Sequence, residues 1–283
     1  MNYRHAFHAG NFADVFKHAF LMMALETLRA KDKPFVVVDT HAGIGLYDLA
    51  GTQAGKTGEW EQGIGRLIAR DDLPDLLKPY VQAIRDLNPD GGLRWYPGSP
   101  WLEAKALRQK DRLIACELHP EDAPALDHNL RRFGGVRVEN ADGYATLKGQ
   151  VPPPERRGLV LIDPPFERTD EIEVIIRALR GAVKRWASGS YAVWYPIKDP
   201  AATAAFHDAL AGLAADGVTS AWALDLMIRP PRWADKLNGC GFAFINPPWG
   251  VLKAAETVMP WLTDVLGQEP GARWTARWLI GEG

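Results

Sequence analysis

Cysteine is nearly absent: Cys116 and Cys240 are the only two in 283 residues. Two thiols cannot build a disulfide framework or a four-thiolate zinc site. Each lies in apolar, strand-like sequence and reads as a small core residue. No apolar run approaches the ~18 residues of a membrane span. The run from Ala19 to Leu25 follows Asp14, Lys17 and His18, precedes Glu26 and lacks a small-residue cleavage site, so it is not a signal peptide. A reducing, cytoplasmic location is expected. Net charge is nearly absent too, with 33 lysines and arginines against 35 acidic residues. That excludes a surface that grips nucleic acid by charge all over and leaves room for a local basic face. No internal repeat or low-complexity tract is present, and the absence of a heptad or a long unpaired apolar face points to a monomer. What is there is ordinary globular sequence, 47% hydrophobic and 24% charged, with 11 tryptophans. A chain this long can bury roughly 75% of its unfolded surface and needs no staple.

Strand and helix patterns alternate along the chain. Asn11 can cap a helix from about Phe12 to Leu28, with Val15, Ala19, Met22 and Leu25 on one face. Pro34 to Asp39 is a short β-branched run, the mark of a strand buried on both faces. Residues 52–96 break the alternation: Leu67, Leu76, Leu77, Tyr80, Val81, Ile84 and Leu87 recur at helical spacing, interrupted by prolines. This segment reads as a small helical insertion into one domain made of residues 1–51 and 97–283. Further strands are expected at 112–117, 136–140, 159–163, 191–195, 219–228 and 242–246. Only a loop separates the last two, so they form an antiparallel hairpin. The expected fold is therefore α/β: a Rossmann-like, seven-stranded, mostly parallel sheet with an antiparallel terminal hairpin. That is the layout of S-adenosylmethionine-dependent methyltransferases.

Ligands of such sheets bind beyond the carboxyl ends of the strands. Polar residues recur there. Strand one ends in Asp39, then His41, Gly43 and Gly45, whose glycines let backbone approach a ligand. Strand two ends in Glu117, suited to a ribose diol. Strand three is followed by Asp142-Gly143, where a carboxylate can take an adenine amino group. Strand four ends in Asp163-Pro164-Pro165-Phe166. Each has a bland reading as a turn residue or helix cap; all four in order at successive strand ends say more. The loop after strand one has Asp48 where a full G-x-G-x-x-G would need glycine, which argues against a nicotinamide enzyme.

The Asp-Pro-Pro-Phe segment points to methylation of a nucleobase amine. The nitrogen lone pair of such an amine is delocalised into the ring. The Asp163 carboxylate and the Pro164 carbonyl can hold its two hydrogens and aim the lone pair at a methyl donor, while Phe166 stacks on the extruded base. Stacking is worth about 1–3 kcal/mol per base, comparable to the few kcal/mol that extrusion costs. Asn246-Pro247-Pro248-Trp249 has the same shape, but it ends an antiparallel strand and should lie at the opposite sheet edge. Ahead of the first helix, Tyr3, Arg4, His5, Phe7 and His8 form an arm of rings and cations that can stack on substrate and pair with phosphate, with Lys17 one turn into the helix. Metal binding has no supporting ligand spacing. Lys31, Lys33, Arg66 and Arg70 are further candidates for a local basic face.

Six motifs carry a family resemblance: Tyr-Arg-His-x-Phe-His-Ala-Gly-Asn at 3–11, Asp-Val-x-Lys-His at 14–18, Asp-Thr-His-Ala-Gly at 39–43, Tyr-Pro-Gly-Ser-Pro at 96–100, Asp-Pro-Pro-Phe at 163–166 and Asn-Pro-Pro-Trp at 246–249. Together they resemble the bacterial large-subunit ribosomal RNA adenine-N6 methyltransferase J family over nearly the whole chain. The resemblance implies a Rossmann-like methyltransferase acting on one adenine of 23S ribosomal RNA with S-adenosyl-L-methionine as cofactor. It implies cofactor contacts at His18, His41, Ser99, Glu117, Asp142 and Gly143, joined by Gly43 and Asp163 from the strand-tip reading. It implies Asp163 as the catalytic acceptor and Tyr3 and Lys17 on the substrate side. The family often has tyrosine where this chain has Phe166, so the stacking face is kept and a hydroxyl is lost. A DNA adenine methyltransferase shares the chemistry, but no extra target-recognition segment is present. A non-catalytic RNA-binding protein on the same fold would not need an intact Asp163.

Overall fold

The computed structural model describes residues 4–232 and 236–281. Tyr3, one of the expected substrate-side residues, lies outside them. Helix α1 (Phe12–Arg29) starts where expected, because the Asn11 side chain accepts hydrogen bonds from the backbone N–H of Ala13 and Asp14, both at 3.0 Å. It is buried on nearly every side, and Asp14, Lys17 and His18 are buried along with its apolar residues. Then come β1 (Val36–Asp39), β2 (Leu46–Asp48), α2 (Thr52–Thr57), α3 (Ile64–Ile68), α4 (Lys78–Leu87), β3 (Trp95–Pro97) and α5 (Ser99–Ala106). The central alternation continues with β4 (Arg112–Cys116), α6 (Asp122–Leu130), β5 (Val136–Glu139), α7 (Gly143–Gln150), β6 (Gly158–Ile162), α8 (Glu171–Arg185), β7 (Ser190–Ile197) and α9 (Pro200–Ala211). The chain closes with β8 (Ala221–Met227), β9 (Gly239–Ile245), α10 (Val251–Leu266) and β10 (Arg273–Ile280).

Eight strands form one sheet in the order β10-β8-β9-β7-β6-β1-β4-β5. β5, β4, β1, β6 and β7 run parallel; β9 is antiparallel to β7 and β8, and β10 is antiparallel to β8. The expected hairpin is therefore β8–β9, with β9 inserted beside β7. The expectation of seven strands is corrected to eight. β10 is a half-exposed edge strand carrying Trp274 and Trp278, which pair along the sheet rather than finish a helix. Its alternating Arg, Trp, Thr and Ala pattern buries little, so the apolar signal used for the other strands is weak there.

Side chains of the sheet alternate between two cores. Val37, Leu113 and Leu161 face α1, α5, α6 and α10, while Val36, Val38, Val160 and Ile162 face α7, α8 and α9. In residues 52–96, Leu67, Leu77, Tyr80, Val81 and Ile84 are buried in the same core as α1. A two-stranded ribbon of β2 and β3 brackets this segment, pairing Tyr47 with Tyr96, and Asp48 meets Arg94 at its end. No helix among the described residues is long and apolar enough to cross a membrane.

Asn246-Pro247-Pro248-Trp249 leaves β9 at the edge where the parallel strands begin. The Asn246 side-chain amide donates to the carbonyls of Ala187 and Gly189, both at 2.8 Å, and its backbone N–H donates to Ser220. The second Pro-Pro motif is a lock on the amino ends of β7 and β8, far from the other one.

Candidate active site

A cavity of about 980 Å³ opens at the carboxyl ends of the parallel strands. Its floor is made of strand tips. After β1, Gly43 adopts φ +64° and its backbone N–H donates to Glu117 Oε2 at 2.9 Å. Glu117 Oε1 accepts from the N–H of His119 at 2.7 Å, so both carboxylate oxygens are held by backbone. Burial raises the Glu117 carboxyl above the usual range against these two donors. Asp39, fully buried at the tip of β1, accepts from Ser99 Oγ at 2.7 Å and from the N–H of His41 at 3.1 Å. Burial outweighs both bonds and pushes it up to about 6. Asp142 caps α7 through Oδ1, which accepts from Ala145 N–H at 3.0 Å, and it also borders the cavity. Gly143 packs so tightly that a Cβ there would lie 1.9 Å from the Thr40 carbonyl oxygen. The helix-cap and turn roles of these residues are thus real, and Gly43, Ser99, Glu117, Asp142 and Gly143 still border the cavity, with Asp39 buried behind Ser99.

Two histidines of the cavity wall, His41 and His18, have depressed pKa values. His41 Nδ1 lies 2.8 Å from Thr40 Oγ1, its ring meets Tyr144 edge-on at 5.0 Å, and burial pulls its pKa down to about 4. His18 Nδ1 is 2.8 Å from the Tyr96 hydroxyl, which is 2.9 Å from that of Tyr80. Burial lowers His18 to about 3. Its Nε2 is buried without a hydrogen-bond partner among the described residues, although the ring borders the cavity. An orphaned imidazole nitrogen, carboxylates at successive strand tips and a backbone cradle at Gly143 fit a ligand that brings hydroxyls, an amine and positive charge.

Asp163 follows β6 and is the junction of the site. Its Oδ2 accepts from Lys17 Nζ at 2.5 Å, and Lys17 Nζ also lies 3.0 Å from Asp14 Oδ1. Burial alone would neutralise this lysine; Asp14 and Asp163 outweigh it and hold the pKa well above the usual lysine range. Asp14 is in turn held well below the carboxylate range against its burial by His5, Lys17 and His18. His5 Nε2 is 2.9 Å from Asp14 Oδ2, and the N–H of Gly10 donates to the same oxygen. Next to Asp163, Pro164 is buried and Phe166 sits at φ +50°, a left-handed conformation rare for an aromatic residue. Its ring meets Trp194 of β7 edge-on at 5.9 Å.

The structure therefore gathers His18, His41, Gly43, Ser99, Glu117, Asp142 and Gly143 around one cavity, with Lys17, Asp163, Pro164 and Phe166 in the same wall. Lys17 and Arg4 have other immediate partners than the expected phosphate. Lys17 is buried between carboxylates, and the Arg4 guanidinium reaches Glu121 and Asp122 at the start of α6, both at 2.5 Å. Lys31, Lys33, Arg66 and Arg70 do not border the cavity. Trp194, read from sequence as core packing, is a cavity residue, and so are Asp39's partner Ser99 and the Tyr144–Glu171 pair at 2.8 Å. Asp14, Lys17 and His18, spaced i, i+3 and i+4 on one helix face, were the available signal for the acid that anchors the lysine.

A sheet of this order, with its cavity at the carboxyl tips and the antiparallel strand inserted next to the last parallel one, defines a Rossmann-like methyltransferase fold. The chain belongs to the family described as "Ribosomal RNA large subunit methyltransferase D, RlmJ", whose model matches residues 32–280. It is 41% identical over 283 residues to "Ribosomal RNA large subunit methyltransferase J" of Haemophilus influenzae, and 39% identical to the protein of the same name from Escherichia coli. Both alignments cover 100% of each chain. A solved structure, protein LPL1258 from Legionella pneumophila, superposes with a TM-score of 0.87 at 36% identity, covering 97% of this chain and 98% of that one.

Proposed function

We propose that this enzyme transfers a methyl group from S-adenosylmethionine to the exocyclic N6 amine of one adenine in 23S ribosomal RNA. The observation that carries the reading is the Lys17–Asp163 contact at the tip of β6, in the wall of the cavity bordered by Glu117 and Asp142. When bound, the cofactor supplies a methyl group on a positively charged sulfur. Glu117 would hold its ribose diol and Asp142 its adenine amine, with Gly43 and Gly143 letting the backbone come close. Asp39, Ser99, His18 and His41 would surround its amino-acid end.

The protein's own work falls to the β6 segment. Lys17 occupies Asp163 Oδ2, leaving Oδ1 to accept one hydrogen of the substrate amine. The Pro164 carbonyl would accept the other. The amine nitrogen is thereby turned so that its lone pair leaves the plane of the ring. Positive charge grows on that nitrogen as the new bond forms, and a fixed carboxylate in a partly desolvated wall stabilises it. Phe166 and Trp194 offer perpendicular aromatic faces for an extruded adenine. Extrusion suits single-stranded or irregular RNA, since side chains cannot read the major groove of an A-form helix. A ribosomal RNA substrate would put the enzyme in the cytoplasm, and residues 52–96 would serve as a subdomain beside the RNA approach.

Asp163→Ala is expected to reduce methyl transfer by at least about 10²-fold while cofactor affinity, read by calorimetry, stays within a few-fold. Tritiated transfer to naked large-subunit RNA, to assembled subunits and to duplex DNA, followed by nucleoside mass analysis, identifies the product. Full activity in the variant, or methylation of DNA alone, would overturn the reading.

A further inference from the structure

The cavity has a second flank that the cofactor reading leaves unused. In the sheet order, Asp163 at the tip of β6 separates β1, β4 and β5 from β7, β9 and β8. The first group supplies Asp39, Glu117 and the Asp142 loop. The second group supplies cations. Because β8 runs parallel to β7 and β9 runs against both, the carboxyl ends of β7 and β8 and the amino end of β9 share one edge. The register makes this explicit, since Ile197 and Met227 both pair with Gly239. Lys198, Arg229 and Lys236 lie just beyond those three ends, and all three border the cavity.

The backbone there is fixed. Asn238 donates from its N–H to the Ile197 carbonyl and from its side chain to the Lys198 carbonyl, both at 2.9 Å, and its own carbonyl accepts from Ile228 at 3.0 Å. Lys198 is exposed, and its ammonium makes no ion pair or hydrogen bond among the described residues. The neighbouring Asp199 is occupied as the cap of α9, accepting from Ala201 at 2.9 Å. Arg229 is half-buried, is steadied by Gln268 through one terminal nitrogen and keeps a buried Nε without a hydrogen-bond partner among the described residues. Among the described residues, the carboxylates of the cavity wall come from other elements: α1, the Glu59 turn, the β4–α6 segment, the loop after β5, and the β6–α8 segment, which includes Glu167 and Glu171.

We propose that Lys198, Arg229 and Lys236 form a phosphodiester seat for the substrate RNA strand, next to the base slot of Phe166 and Trp194. Neighbouring strands are about 4.8 Å apart, so the loops of β7, β9 and β8 step away from Asp163 by roughly 5, 10 and 15 Å along the edge. A base seated at Asp163 would carry its ribose and phosphates outward over this row, while the cofactor occupies the other flank. Arginine offers a planar fork to phosphate oxygens and lysine a point charge, the pair of groups that backbone recognition uses. Such contacts hold a strand without reading its sequence. The assignment rests on the RNA-methylation reading and adds the direction in which the strand enters.

The test uses full-length protein and fluorescein-labelled naked large-subunit RNA. Binding is followed across a potassium chloride series for wild type, Lys198→Ala, Lys236→Ala and the double variant. Each lost cation should lower the slope of log affinity against log salt by about 0.7, and the double variant by about 1.4. KM for RNA should rise while kcat and calorimetric cofactor affinity hold. Lys198→Glu, at an exposed position, should weaken RNA binding further with an unchanged melting temperature. Unchanged slopes and KM in the double variant and in Lys198→Glu would overturn the seat while leaving the Asp163 chemistry standing. Wild-type protein that methylates no RNA would instead remove the reading beneath it.

Discussion

Lys17 is one cation serving a buried carboxylate, Asp14, and a half-buried one, Asp163, and its place in the wall rather than at the surface changes what its loss should do. A surface ion pair is worth little, but breaking a buried one leaves an uncompensated charge and costs about 3–5 kcal/mol. Lys17→Met keeps the apolar stem and removes the charge from between Asp14 and Asp163. The variant should be destabilised on that scale in urea denaturation and should also lose methyl transfer. A stable variant with wild-type turnover would show that Asp163 needs no counter-charge. This contact joins residues 146 positions apart, and nothing in either local sequence announces the other. Asp163 was legible because a strand tip is a place where chemistry collects. Lys17 was legible as a site residue, but its partner was not. The same holds for Arg4, whose salt bridges to Glu121 and Asp122 depend on how the arm crosses α6.

Strands β7, β8 and β9 show an element held by a missing side chain. Gly241 is paired with Tyr195 on one side and Asp225 on the other. The Tyr195 ring crosses over it to donate to Asp225 at 2.5 Å, with His207 Nε2 at 2.7 Å from the same hydroxyl. A Cβ at position 241 would lie 2.1 Å from the ring, and a ring pinned at its hydroxyl cannot yield. Gly241→Ala should cost at least about 2 kcal/mol through overpacking, plus the desolvation of Asp225 if the hydrogen bond breaks. Differential scanning calorimetry should show the loss, and a melting temperature equal to wild type would refute the interlock. The hairpin itself was readable, because no crossover of sufficient length separates its strands. The interlock was not, since register across strands is set by packing. The edge strand β10 escaped notice for the related reason that half its residues face solvent.

At the scale of the whole molecule, buried neutral groups set how stability follows pH. An unfolded histidine protonates near 6.5, whereas His18 and His41 are held down to about 3 and about 4. The unfolded chain therefore binds more protons below 6.5, and the contribution of both rings is lost as pH falls from 6.5 toward those values. Asp39 runs the other way. Its folded pKa near 6 exceeds the unfolded 3.8, so its contribution is present below 3.8 and lost as pH rises through about 6. Burial raises Glu117 and Glu103 in the same direction as Asp39, so the contribution of the rings is read from a variant rather than from the net slope. His18→Gln should lose less melting temperature than wild type between pH 7 and pH 4; a variant whose change equals that of wild type would exclude His18 as a source. The reversed direction of β9 has one more result. It delivers Trp249, 91% exposed, to the edge of the sheet opposite the cavity, while Trp194 stays half-covered inside. Among the described tryptophans, Trp249 is the first target of an indole-selective oxidant. Shielding of that ring in a complex would then reveal how far around the protein a ribosomal particle extends.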